Sequence, residues 1–187
     1  PPKGPATKPC AELGYRGALV STLPEQQQQL VFAGINAAVF LGTAGVCTVV
    51  GPFFHDNIPF LFNISKATWP LIGVTYVAAG VAHFKIEEDF VNMMPHQGAW
   101  GFWELPGSDR FHVQWTGVAE VLGGTGLLLG ALPFMPTWLE PASAWGLLVL
   151  SVVVYPANIY MYTHNAQGPG PPVEEGEEAP LLTPPQH

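Results

Sequence analysis

Charge is what this sequence has least of. Only 11% of its residues are charged, where soluble domains carry roughly 25%. Basic residues are the scarcest: six Lys and Arg stand against fourteen Asp and Glu, for a net charge of −8. That excludes nucleic acid as a partner, since binding it needs a row of cations to displace the phosphates' counterions. Cysteine is almost missing too. Cys10 and Cys47 form no CxxC pair, which leaves a disulfide framework, a zinc site and a dithiol redox centre without support. There is no GxSxG, no P-loop, no HExxH and no GxGxxG after a strand, so the common hydrolase, nucleotide and zinc-protease signatures are absent. No internal repeat is visible either.

What the sequence has is long apolar stretches. Aliphatic and aromatic residues make up 48% of it, and the mean hydropathy of +0.25 is modest only because both ends are polar and proline-rich. Four stretches read as membrane spans by length and polarity, at about 30–50, 67–84, 113–134 and 144–163. The first carries no charge, and Gly51-Pro52 is expected to close it. Small residues recur along it at helical spacing, Gly34, Ala38, Gly42 and Gly45, a pattern that lets a second helix approach closely. Pro156 is expected to kink the fourth span, because its ring removes a helical hydrogen bond.

Around the spans lie a polar leader (1–28), an aromatic and charged loop (85–111) and an acidic Pro/Gly-rich tail (165–187). Within the loop, Trp100, Phe102 and Trp103 suit the headgroup level of a bilayer. Four of the acidic residues, Glu174, Glu175, Glu177 and Glu178, make up a solvated patch in the tail. The expected fold is an all-α integral membrane protein, a four-helix transmembrane bundle over 29–164. With four spans the leader, loop and tail share one side. That side holds Lys3, Lys8, Arg16, Lys85 and Arg110, and the other holds only Lys66, which places both termini on the cytoplasmic, stromal or matrix side. The start at Pro-Pro-Lys suggests a processed form or a fragment; removal of a targeting peptide would mean an organellar or a secretory address, and the organellar one is the expectation.

Ionisable groups at membrane depth are functional candidates. Glu120 is foremost. Gly117, Gly123, Gly124 and Leu127 lie near it at helical offsets, and Gly126 and Gly130 continue the small-residue series as a packing surface. Its carboxyl is either protonated or ionised and paired with a donor such as His83, and its role is either an interhelical hydrogen bond or a ligand, proton or cofactor function. His83 ends the second span on a face with Tyr76, Ala79 and Gly80. Asn158 follows Pro156, where its amide could cap a freed carbonyl. His83, Glu120 and Asn158 are each candidates for a polar role, and His83, His112 and Glu120 are the side chains a pigment or metal would use. His55, His96 and His164 flank spans or lie in loops and read as solvated. Nothing marks a catalytic residue.

The segments YVAAGVAHF (76–84), WTGVAEVLGGTGLLL (115–129) and WGLLVLSVVVYPANIYM (145–161), in that order, resemble the DoxX-like membrane proteins over about residues 70–163. The resemblance implies a small four-helix membrane bundle in which His83, Phe84, Pro95, Gly117, Glu120, Gly124, Pro156, Asn158 and Met161 recur as a set, with His83, Glu120 and Asn158 as its polar centre. One branch of that family is similar to a subunit of a thiosulfate:quinone oxidoreductase. The sequence departs from the pattern in placing an extra span before the motif and no fourth helix after PANI-x-M. The function expected is a non-catalytic accessory or assembly subunit of a larger organellar membrane complex. A chloroplast thylakoid photosystem, with chlorophyll, carotenoid or lipid bound, is one form of this reading. A membrane subunit of a quinone-linked oxidoreductase and a proton or small-solute carrier are the alternatives. The partners expected are the bilayer and other membrane subunits.

Overall fold

The computed structural model of the chain describes residues 20–164, Ala166, Gly168 and Pro169. The leader up to residue 19, Cys10 with it, and almost all of the acidic tail lie outside the described residues. The described residues are helical, with no strand among them. The helices are α1 (Glu25–Gly45), α2 (Gly51–Asn57), α3 (Pro59–Thr68), α4 (Ile72–Lys85), α5 (Glu87–Asn92), α6 (Asp109–Gly130) and α7 (Leu139–His164).

Proline sets several of the boundaries. Gly51-Pro52 was expected to end the first span, but the helix does not stop there. A π turn, Val46–Val50, links α1 to α2, with the Gly51 N–H donating to the Val46 carbonyl. The wider turn shifts the carbonyls out of α-helical register, and Pro52, at the start of α2, needs no N–H. The break comes at Ile58 (φ −135°, ψ 57°), the residue before Pro59, where the proline ring disfavours helical geometry. Pro59 then opens α3. Ser108 starts α6 by accepting a hydrogen bond from the Phe111 N–H at 3.2 Å. The third apolar stretch leaves the helix at Gly130, short of residue 134, and α7 begins at Leu139 and runs unbroken past Pro156.

Three helical stretches among the described residues are long and apolar enough to cross a membrane: Glu25–Asn57, Pro59–Lys85 and Leu139–His164. α6, which carries Asp109, Arg110 and Glu120, is not among the three.

The chain divides into two compact units. Unit 1 joins residues up to Phe32 with Ile86–Val113 and Val154 onward. Its described core is the Trp100 ring, 1% exposed, held among Phe32, Trp103, Tyr160 and His164. On its surface Arg110 pairs with Glu87 at 2.8 Å and also with Glu88.

Unit 2 comprises Ala33–Lys85 and Gln114–Val153. Its organising element is α6, which meets α4 on one side and α7 on another, both antiparallel. Toward α4 the contact is backbone against backbone. A Cβ on Gly80 would lie 2.6 Å from the Gly117 carbonyl oxygen, and one on Gly73 would lie 2.5 Å from that of Gly124. Toward α7, a Cβ on Gly123 would strike the Leu147 side chain at 2.5 Å, and one on Gly130 would meet the Glu140 backbone nitrogen at the same distance. Tyr76 ties α4 to α7. Its hydroxyl donates to Ser151 Oγ at 2.9 Å, because the Ser151 proton is already committed to the Leu147 carbonyl at 2.8 Å.

The packing of α4 on α6 makes a direct expectation. Gly80→Ala should cost about 1–3 kcal/mol, since the added methyl meets backbone that cannot move aside. Gly34→Ala, where a Cβ meets nothing within 4 Å, should cost nothing. Unfolding in mixed detergent micelles, followed by circular dichroism, reads the difference, and equal stability of the two variants would refute the interlock.

Candidate functional site

The close approach of α4 to α6 creates a small buried polar site in unit 2. His83 is 7% exposed and Glu120 is 9% exposed. A Cβ on Gly117 would come within 2.7 Å of the His83 Cβ, so only glycine there lets the imidazole lie along α6 beside Glu120. His83 Nδ1 is 3.3 Å from Glu120 Oε2. The same Nδ1 lies 2.9 Å from the Ala79 carbonyl oxygen. A carbonyl can only accept, so Nδ1 carries a proton and donates it along its own helix.

That assignment decides the character of the pair. The Nδ1–H axis points at Ala79, and Glu120 Oε2 is close to the nitrogen but off the axis. Among the described residues this buried oxygen has no hydrogen-bond partner. The pair is thus in ionic contact distance without a hydrogen bond. An ionised carboxylate held this way would lack the donors that normally offset its burial. Chemically, the site places a carboxyl beside an imidazole whose Nδ1 proton is already committed to the Ala79 carbonyl. Among the described residues no cluster of three or more metal-binding side chains occurs, so this pair alone falls short of the usual three or four protein ligands of zinc.

The other residues singled out from the sequence lie elsewhere. Asn158 belongs to unit 1 and is exposed on α7. It therefore does not join a buried polar centre, because the packed face of α7 there carries Ala157, Tyr160 and Thr163 and Asn158 lies around the helix from the last two. His112 is in unit 1 near the start of α6, with Nε2 donating to the Pro106 carbonyl at 2.8 Å. Gly117 and Gly124 face α4. Gly123 and Gly130 face α7, as does Gly126, which packs against Ser143.

A second polar cluster, in unit 1, was not anticipated. Trp100 was expected at the headgroup level, yet its ring is fully buried. Its backbone is left-handed (φ 54°, ψ 14°) between two positive-φ glycines, Gly98 and Gly101. That conformation costs about 1–2 kcal/mol in an L-residue. The indole N–H donates to Thr163 Oγ1 at 3.0 Å, and Gln29 Nε2 donates to the Trp100 carbonyl at 3.2 Å. Thr163 is 0% exposed. Its hydroxyl lies 2.9 Å from the Ile159 carbonyl and 2.8 Å from His164 Nδ1. All three contacts are satisfied together when the hydroxyl proton goes to Ile159 and His164 donates from Nδ1. His164 stacks on Tyr160 at 4.3 Å, and the Tyr160 hydroxyl lies 2.9 Å from His96 Nδ1. His164 and His96 were read as solvated; both are instead built into this network, because residues 95–105 fold onto the last turns of α7. The one signal in the sequence is Tyr160, Thr163 and His164 at helical offsets of three and four.

Two measurements check these geometries. In a double-mutant cycle of His83→Ala and Glu120→Gln, the coupling should stay below about 1 kcal/mol, because the imidazole proton is committed to Ala79; about 3 kcal/mol or more would mark a buried ion pair instead. Thr163→Val should cost about 1–3 kcal/mol by leaving the buried indole N–H without an acceptor, while Thr163→Ser should cost clearly less. Thermal unfolding followed by tryptophan emission compares the two, and equal losses would mean that the hydroxyl is irrelevant.

No curated protein and no solved structure matches the chain. The family model described as "Domain of unknown function (DUF8561)" matches residues 72–179, more than half of the sequence, and the chain belongs to that family.

Proposed function

We propose that the chain is a small integral membrane protein of four spans, and that it serves as a non-catalytic accessory subunit of a larger membrane complex, with α1 as the helix it presents to its partner. The spans are the three long apolar stretches together with α6. The even number puts both termini on one side, and the basic residues favour the cytoplasmic, stromal or matrix face.

One observation carries the partner reading. In Glu25–Asn57, the most apolar window has none of its residues buried among the described residues. α1 carries small residues four apart (Gly34, Ala38, Gly42), yet among the described residues a Cβ on Gly34, Gly42 or Gly45 would meet nothing within 4 Å. In a bilayer, small-residue faces serve close helix–helix contact, because lipid alone gives no reason to give up side-chain packing. A helix from another subunit would complete that face. His83 and Glu120 fit this reading as a polar joint inside unit 2, set where α4 and α6 are closest. The resemblance of about residues 70–163 to the DoxX-like proteins is a separate proposal, carried by the sequence segments alone.

Purification from native membranes in a mild detergent tests the reading. The protein should migrate with a complex much larger than 20.1 kDa, and Gly34→Leu with Gly42→Leu should release it while the helical content of the freed chain stays unchanged. A wild-type chain that runs alone as a stable monomer would sink the proposal; a species containing only copies of this chain would replace the foreign partner with a homo-oligomer.

A further inference from the structure

Glu120 sits in the middle of α6, 9% exposed, with Oε2 buried and without a hydrogen-bond partner among the described residues. The packing that encloses it also limits what it can bond to. Inside a helix every backbone N–H is committed to a carbonyl one turn back. Each of those carbonyls keeps a second lone pair. The backbone of α4 and α6 beside this carboxyl therefore offers acceptors and no donors. His83 Nδ1, 3.3 Å away, adds no donor either, because its proton goes to the Ala79 carbonyl. Among the described residues Glu120 forms no ion pair with a lysine or an arginine. The part of α7 that belongs to unit 2, residues 139–153, contains no Lys, Arg or His.

The two forms of the carboxyl have opposite needs. A carboxylate requires donors or a cation, and a buried charge left without them costs far more than a buried hydroxyl left without an acceptor. A carboxylic acid is itself a donor among acceptors, and it carries no charge to be solvated. The surroundings suit the acid and oppose the carboxylate. The approach of His83 Nδ1 to Oε2 is then a packing contact between an imidazole edge and a neutral acid.

We infer that Glu120 holds a proton in the folded protein at neutral pH, which makes it a site of reaction with lipid-soluble reagents that take a carboxyl and its proton together. The inference rests on the reading that α4 and α6 lie in the bilayer, and it is independent of the partner for α1. A carbodiimide is such a reagent. The carboxyl proton passes to one of its nitrogens and the carboxyl oxygen bonds to its central carbon. The acyl group then moves to nitrogen, leaving a stable N-acylurea, and no further reactant is consumed.

Full-length protein in membranes washed with alkaline carbonate should be treated at neutral pH with dicyclohexylcarbodiimide. The wild type should take up one carbodiimide per chain, and peptide mass mapping should place it on Glu120. Glu120→Gln, which keeps the shape and removes the acid, should lower the uptake at least tenfold. Infrared difference spectra between the wild type and Glu120→Gln should show the C=O band of a carboxylic acid. That band should persist in His83→Ala when it is measured against the double variant. A wild type without the band would overturn the inference. So would a band that arises only when His83 is removed, since Glu120 would then be the ionised partner of an imidazolium. Adducts confined to exposed carboxylates such as Glu88 would overturn it as well. Release of the protein by carbonate, or reaction of Glu120 with a water-soluble carbodiimide and an amine, would instead remove the membrane reading itself. Either result is distinct from a membrane-held chain whose Glu120 shows no acid band.

Discussion

Close backbone contact along α6 is the constraint on which unit 2 depends. Gly117 and Gly124 let the α4 backbone approach, while Gly123, Gly126 and Gly130 receive α7. Glycine removes the side chains that would hold the backbones apart, so shape and close approach supply the attraction between these helices. Both contacts are antiparallel, and each glycine meets a defined carbonyl, amide or side chain on its neighbour. A single added methyl on the α4 side would meet backbone, which has no rotamer by which to yield.

Glu120 gains its environment from that contact. It lies one turn from Gly117, where α4 comes nearest, and the imidazole of His83 fills the space that the glycine leaves. The Ala79 carbonyl then takes the one proton of His83 Nδ1. The carboxyl is thus enclosed by packing more than it is bound by hydrogen bonds. In unit 1 the logic is reversed. There a strained, left-handed Trp100 is held by hydrogen bonds to Thr163 and from Gln29 and by the rings around it, and it is the polar network that fixes the local fold.

Glycines of two kinds occur in the chain, and the difference between them supports the functional reading. Those of α6 are filled by their own neighbours. Those of α1 and Gly146 of α7 are open. For the α1 glycines, that openness is what supports the proposed helix partner.

Much of the helical architecture was readable in the sequence, because the signals for it are local. Long uncharged runs act over a few residues and dictate helices wherever the chain goes; the cap at Ser108 and the proline after Ile58 are equally local, though they were not singled out. Pro52 was misleading for the same reason, since a π turn can absorb a proline and no short pattern announces one. Tertiary structure alone decided which faces meet. Gly123 and Gly124 are neighbours in the chain, yet they serve different helices, because successive residues point about 100° apart on an α-helix. Gly34 and Gly80 both lie on small-residue helix faces, but among the described residues only Gly80 meets a neighbour. Trp100 looked like an interface anchor and is buried, and Asn158 looked like part of a polar centre and is exposed. In each case the residue type was known, and the outcome depended on which distant segment folded against it, a matter of register and loop closure that no local pattern encodes.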